Sequence, residues 1–170
     1  MIRAVLAAVV LASGFASCGD GLETATSTEI RGSCPVTVRV HAPRPRGNPF
    51  GPSHFNYGNR YLRADLYWSD GLLRAGILAN GSSMATVNPD GSIRAKLGWW
   101  RGLDRRLIIT GRRLDAKAPP LRAETGGDNG GRGFRASALI FPTVGCWRVV
   151  GRAGAARLTF VVNVVKIRKR

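Results

Sequence analysis

The sequence lacks any apolar run long enough to cross a membrane. The uncharged stretch over residues 4–12 is far shorter than the roughly 20 apolar residues that a membrane-spanning helix needs, and no later segment approaches that length. We therefore expect a chain without a membrane-spanning segment. A sustained helical period is missing as well, which argues against a helical or mixed fold.

Signatures of catalysis and of cofactor binding are also missing. The sequence has no metalloprotease helix motif, no serine nucleophile elbow and no phosphate-binding glycine loop. Asp128 and Asn129 in a glycine-rich stretch are too few oxygen ligands for calcium. No zinc-finger spacing, helix-turn-helix pattern or RNA-binding sheet motif occurs, so we expect no specific nucleic-acid partner. The sequence predicts neither a metal site nor a cofactor.

The start of the chain has the pattern of a secretory signal. One positive charge at Arg3 is followed by a short apolar run and then by small residues, which predicts a signal peptide over residues 1–17. The letters FASC at residues 15–18 resemble a bacterial lipobox. This resemblance implies that Cys18 carries a lipid and anchors an exported protein at the membrane surface of the cell envelope. Cleavage after Ala16, which would give a secreted protein with Cys18 as a spare thiol, is the alternative.

The number of cysteines favours the lipid anchor over the secreted alternative. Three cysteines in an exported chain leave one unpaired unless one has another role. Lipidation of Cys18 would leave Cys34 and Cys146 free to form a disulfide, which an oxidising compartment allows. Cys146 as a nucleophile or metal ligand is less favoured, because only His41 and His54 are available and both are distant in sequence. Residues 18–33 are small and polar and predict a flexible tether.

Strand patterns dominate the body of the chain, which we place at residues 34–165. The letters VTVRV, with Val36, Val38 and Val40 on one face, alternate as in a half-buried strand. Further alternating or apolar runs follow, and the letters NPDG at residues 88–91 predict a hairpin turn. Inward positions are predicted at Leu62, Ala64, Leu66 and Trp68 in one segment and at Ile93, Ala95, Leu97 and Trp99 in another. Short strands without intervening helices predict an all-β fold, a single antiparallel sandwich.

Two resemblances refine this prediction. The letters FPTVGCWRVVGRAGAARLTFVV resemble the last hairpin of bacterial immunoglobulin-like and PKD-like domains. This likeness implies an immunoglobulin-like β-sandwich and places five side chains in its core: Trp147, Val149, Leu158, Phe160 and Val162. From about Trp99 onward the chain also looks like a family of uncharacterised bacterial secreted proteins and lipoproteins. That second likeness implies export and brings no activity with it.

The charge is strongly positive. The whole chain carries +16, and removal of residues 1–17 takes away Arg3 and no acid, which leaves +15. Such a charge attracts anionic partners, among them envelope phospholipids and phosphate-bearing cell-wall polymers. A compositional origin is the alternative, because the arginines are spread along the chain as polar faces of strands. The densest cluster is a basic tail at residues 166–170, either on an anionic surface or solvated.

Aromatic residues offer a candidate ligand platform. Trp100 is predicted on the outer face of its strand beside Arg101, and together with Tyr57, Tyr61 and Tyr67 it could stack on a sugar ring. Covering the outer surface of the sheet is the alternative role for the same side chains.

These observations predict a non-enzymatic cell-envelope module that binds or spaces something at the cell surface. One alternative is an envelope hydrolase that uses His54 with a nearby carboxylate, Asp65 or Asp70, as a base. Another is a basic adhesin for anionic polymers. The sequence makes no prediction of oligomeric state.

Overall fold

Ten β-strands and no helix form the regular structure of the described residues. The computed structural model describes residues 33–38, 56–77, 81–126 and 131–167, all within the unit Arg31–Arg170. In this part of the chain no helix is long and apolar enough to cross a bilayer. The strands are β1 (Tyr57–Gly58), β2 (Leu62–Ala64), β3 (Leu72–Ala75), β4 (Ala85–Val87), β5 (Ile93–Arg101), β6 (Leu107–Arg113), β7 (Arg122–Thr125), β8 (Gly133–Phe141), β9 (Gly145–Ala153) and β10 (Ala156–Lys166). The predicted all-β class is confirmed.

The strands form two sheets. The larger has the order β1-β2-β5-β8-β7, with β4 also paired to β5, and the smaller has the order β3-β10-β9-β6. Every pairing is antiparallel except that of β3 with β10, where Leu72–Ala75 runs parallel to Asn163–Lys166. The prediction of a purely antiparallel fold is therefore wrong at β3. No short hairpin links β3 to β10, so the chain was free to arrive at that edge in either direction.

One hydrophobic core lies between the two sheets. Trp99 of β5 packs against Phe160 of β10 with ring centroids 6.1 Å apart, and Phe141 of β8 packs against Trp147 of β9 at 5.6 Å. The period-2 patterns correctly identified the inward positions. Those confirmed as buried are Leu62, Ala64, Leu66, Trp68, Ile93, Ala95, Leu97, Trp99, Trp147, Val149, Leu158, Phe160 and Val162.

The first predicted strand has a different outcome. Residues 33–38 do not form a regular strand, and Val38, predicted to point inward, is 51% exposed. Thr37 instead exchanges two hydrogen bonds with Val161 of β10: its N–H donates to the carbonyl at 2.7 Å, and its Oγ1 accepts from the Val161 N–H at 2.9 Å. The hydroxyl of Thr37 thus accepts the hydrogen bond that a backbone carbonyl would accept in a regular strand. Val40 lies outside the described residues.

The turn at residues 88–91 forms the predicted hairpin between β4 and β5. The N–H of Gly91 donates to the carbonyl of Asn88 at 2.9 Å, and Gly91 has a φ of 81°, which a glycine adopts without steric cost. Asp90 accepts hydrogen bonds from both the hydroxyl and the N–H of Ser92. These bonds hold the pKa of Asp90 below its ordinary value.

A disulfide joins Cys34 to Cys146, as predicted, across 112 positions of sequence. Cys146 is the second residue of β9, next to the inward-pointing Trp147, so it lies on the outward side of its strand. The bond ties the segment before β1 to the final hairpin. The last strand ends at Lys166, one residue later than predicted, and residues 168–170 of the basic tail lie outside the described part.

Two buried tryptophans of this core, Trp68 and Trp99, allow the contributions of packing and of hydrogen bonding to stability to be separated. The indole N–H of Trp99 donates to Ser137 Oγ at 3.0 Å, whereas within the described residues that of Trp68 has no acceptor. Both rings pack on Phe160. We expect Trp99→Phe to lower the free energy of unfolding by about 2 kcal/mol and Trp68→Phe by about 1 kcal/mol, because only the first loses a hydrogen bond. Urea unfolding followed by far-UV circular dichroism measures both, and equal losses would contradict this explanation.

Candidate ligand groove on the six-stranded sheet

A groove of about 620 Å³ lies on the outer face of the six-stranded sheet. Its floor consists of three small residues on neighbouring strands: Gly98 of β5, and Ala136 and Ala138 of β8, of which Ala136 is paired with Gly98. These positions alternate with inward ones such as Leu97 and Leu139, so they point away from the core. The small size of Gly98, Ala136 and Ala138 leaves the space above them open. We name this feature the groove.

Aromatic side chains stand beside the floor. Tyr67 and Phe134 both line the groove, and Phe134 is 37% exposed. The hydroxyl of Tyr67 donates to the carbonyl of Met84 at 3.3 Å, which positions the ring. Burial, and to a smaller extent the charge of Asp65, raise the pKa of Tyr67. The groove therefore presents a neutral phenol and an exposed phenyl ring at physiological pH.

Charged groups occupy the rim of the groove. Arg94 and Glu124 form an ion pair of 2.8 Å in which both side chains stay substantially exposed. Lys96 is exposed on the same face, and Asp65, whose N–H donates to the carbonyl of Gly98 at 2.9 Å, also lines the groove. The rim thus offers charges of both signs and hydrogen-bonding groups around an apolar centre.

The predicted aromatic platform is only partly assembled. Trp100 points outward, as predicted, and lies opposite Phe134 on one neighbouring strand and Arg63 on the other. Tyr67 belongs to the groove. Tyr61 is exposed and has the guanidinium of Arg60 over its ring at 4.5 Å.

Two of the residues predicted for that platform lie elsewhere in the structure. Arg101 is 0% exposed and donates to the carbonyl of Arg105 at 2.5 Å, so the prediction that it belongs to a ligand platform with Trp100 is wrong. Adjacent residues of a strand point to opposite faces, and Arg101 follows Trp99 on the inward side. Tyr57 is also used elsewhere, because its hydroxyl donates to the carbonyl of Thr159 at 2.9 Å and caps the edge of β10.

The two carboxylates proposed for catalysis, Asp65 and Asp70, have different surroundings. His54 lies outside the described residues, as do His41, Asp128 and Asn129. Asp65 lines the groove. Asp70 forms an ion pair with Arg74 at 2.6 Å, and the hydrogen bond from that guanidinium holds the pKa of Asp70 below its ordinary value. Asp70 is therefore a weaker base than an ordinary aspartate. In the described ranges no group of three or more His, Cys, Asp or Glu side chains could hold a metal ion.

Most of the groove was not predicted from the sequence. The signal was present in the letters FRASALIF, where alternation puts Phe134, Ala136 and Ala138 on the outward face with two small residues in a row. What alternation does not give is the neighbour of each strand. The groove exists because Gly98 of β5 lies beside Ala136, and that pairing is a product of the tertiary fold.

Comparisons of this chain with protein-family models, with curated proteins and with solved structures find no match. The geometry of the groove and the chemistry of its side chains are therefore the basis for a functional proposal.

Proposed function

We propose that this chain is a non-enzymatic binding module of the bacterial cell envelope, an immunoglobulin-like β-sandwich anchored through a lipid on Cys18, and that the groove binds a glycan strand. The all-β, two-sheet architecture supports the sandwich. The disulfide between Cys34 and Cys146 supports export, because such bonds persist in oxidising compartments. Cys18 and the predicted signal peptide lie outside the described residues.

The observation that carries the glycan assignment is the placement of Tyr67 and Phe134 beside a floor of small residues. Sugar rings have apolar C–H faces that pack on aromatic rings, and hydroxyl edges that need hydrogen-bonding partners. The rim supplies such partners through Lys96, Asp65 and Thr125. The volume of about 620 Å³ falls within the range of roughly 300–1,000 Å³ that is usual for ligand sites. An open groove also admits a chain longer than the site.

Binding without turnover is favoured by the state of the groove's ionisable groups. Glu124 is ion-paired with Arg94, and the phenol of Tyr67 is held in its neutral form. Asp65 is the carboxylate that the hydrolase alternative would use, with His54 as its base. That alternative predicts release of products from a glycan substrate and loss of this activity in His54→Ala.

A groove-filling substitution tests the proposal. Ala136→Tyr places a phenol over the floor, at an exposed outward position where a β-forming aromatic is compatible with the strand. We expect the affinity for soluble peptidoglycan glycan strands and for chitohexaose to fall at least tenfold, with the unfolding midpoint unchanged. Isothermal titration calorimetry measures the affinity, and thermal unfolding checks the fold.

The matched control is Thr110→Tyr, at an exposed outward position of β6 on the other sheet. It adds the same ring far from the groove and should bind as the wild type does. Glycan binding by Ala136→Tyr at wild-type affinity would contradict the groove as the site. Failure of the wild type to bind either glycan would contradict the ligand class, and turnover that is lost in His54→Ala would establish the hydrolase instead.

A further inference from the structure

The outer face of the four-stranded sheet carries four arginines on three adjacent strands. Arg112 of β6 lies directly opposite Arg148 of β9, and Arg152 of β9 lies directly opposite Arg157 of β10. All four alternate with inward residues such as Val149 and are therefore outward. Paired strands are about 4.8 Å apart, and Arg148 and Arg152 are separated by about 13 Å along β9. We name this surface the arginine face.

No acidic residue balances this charge within the sheet. β6, β9 and β10 contain no aspartate or glutamate. Among the described residues none of the four arginines takes part in an ion pair, whereas Arg74 and Arg113 nearby are paired with Asp70 and Asp115. Like charges directly opposite one another on a sheet are destabilising. The isolated chain therefore has two repulsive pairs that an anionic surface would relieve.

We propose that the arginine face docks the domain on an anionic phospholipid bilayer. The choice of a bilayer as the partner draws on the proposed lipid anchor, because the path of the chain connects the two, and the vesicle assay tests that choice without the lipid. Cys34 is bonded to Cys146, which is on the same outward side of β9 as Arg148 and Arg152. The 16 positions from Cys18 to Cys34 span at most about 55 Å when fully extended. An anchor at Cys18 thus holds this face within reach of the membrane.

The side chains between the arginines also suit a membrane interface. Ile108, which lies opposite Arg152, is 57% exposed, and no charge of either sign occurs at Thr110, Val150 and Thr159 between the two arginine pairs. An exposed apolar side chain beside guanidinium groups can enter the headgroup layer while the charges contact phosphates. Each basic residue near an anionic membrane contributes an attraction that corresponds to about a fivefold change in partition.

The experiment uses the full chain exported with Cys18→Ser, so that no lipid contributes to binding. Partition to vesicles of phosphatidylcholine with one third phosphatidylglycerol is measured by sedimentation. We expect Arg152→Thr/Arg157→Thr to lower the partition coefficient about thirtyfold and to raise the unfolding midpoint slightly, because a like-charge pair is removed. A merely structural role for these arginines would lower the midpoint.

The matched control is Arg122→Thr/Arg132→Thr, which removes the same charge from exposed positions outside the arginine face. It should retain binding within about threefold of the wild type, and binding by the wild type should weaken steeply with salt. Equal losses in the two double variants would overturn the proposal in favour of a net-charge effect. Wild-type binding to soluble polyphosphate with no partition to vesicles would overturn it in favour of a polymer.

Two further readouts keep this inference separate from the proposed function. Ala136→Tyr should bind vesicles as the wild type does, so failure of the groove proposal leaves this assay unaffected. The intact mass of the wild-type chain extracted from the envelope reports whether Cys18 is lipidated. An unmodified chain that starts after residue 16, together with loss of vesicle binding only in Arg152→Thr/Arg157→Thr, would overturn the anchor and leave the arginine face as the membrane contact.

Discussion

Replacing both Cys34 and Cys146 by alanine is expected to lower the free energy of unfolding by about 5 kcal/mol. The bond closes a loop of 112 positions, and the loss of loop entropy in the unfolded chain gives this value in the chain-entropy treatment. A loss of this size is comparable with the whole stability of a small domain. Urea unfolding of the double variant and of the wild type, each with and without reductant, measures it.

The matched control is Cys18→Ser, which removes the cysteine that takes no part in this bond and should leave the unfolding midpoint unchanged. Reductant should destabilise the wild type and have no effect on the double alanine variant. A loss below about 1 kcal/mol would show that residues 33–38 contribute to the fold without the bond, through contacts such as the two hydrogen bonds between Thr37 and Val161.

Gly151→Ala is expected to lower the free energy of unfolding by about 3 kcal/mol. A Cβ at Gly151 would lie 2.5 Å from Cζ3 and 2.7 Å from Cη2 of Trp99. Trp99 is 0% exposed, its ring packs on Phe160, and its indole N–H is bonded to Ser137, so the ring has no free space to move into. Chemical denaturation followed by circular dichroism measures the loss.

Gly126→Ala is the control for this substitution, because a Cβ there meets no atom within 4 Å and the residue does not have a positive φ. It should leave stability within about 0.5 kcal/mol of the wild type. The double variant Gly151→Ala/Trp99→Phe should lose less free energy of unfolding than the two single variants lose together, since the smaller ring relieves the clash. If the two losses of free energy are additive, the destabilisation by Gly151→Ala comes from the backbone and not from the clash with Trp99.

The two proposed surfaces lie on the outer faces of different sheets that share one core. The groove is on the six-stranded sheet, and the arginine face is on the four-stranded sheet. Docking of the arginine face on a bilayer would therefore leave the groove facing away from the membrane and accessible to a glycan strand. The two proposals are compatible in one molecule, and their assays use variants on separate sheets.

Alternation along the sequence was enough to predict which side of most strands is buried. Alternation along residues 62–68 and 93–99 put Leu62 and Trp99 in the core, because a strand side chain has only two directions to point. The turn at residues 88–91 was equally predictable, since the conformation of Gly91 is local. Counting cysteines correctly paired Cys34 with Cys146 once Cys18 was assigned to another role.

Strand neighbours and their register depended instead on tertiary packing. The parallel pairing of β3 with β10, the Gly98–Ala136 contact under the groove, and the two opposed arginine pairs all depend on it. So does the burial of Arg101, whose guanidinium reaches the carbonyl of Arg105 inside the fold. Alternation is a property of a single strand, whereas pairing is selected by the long-range packing of both sheets on one core.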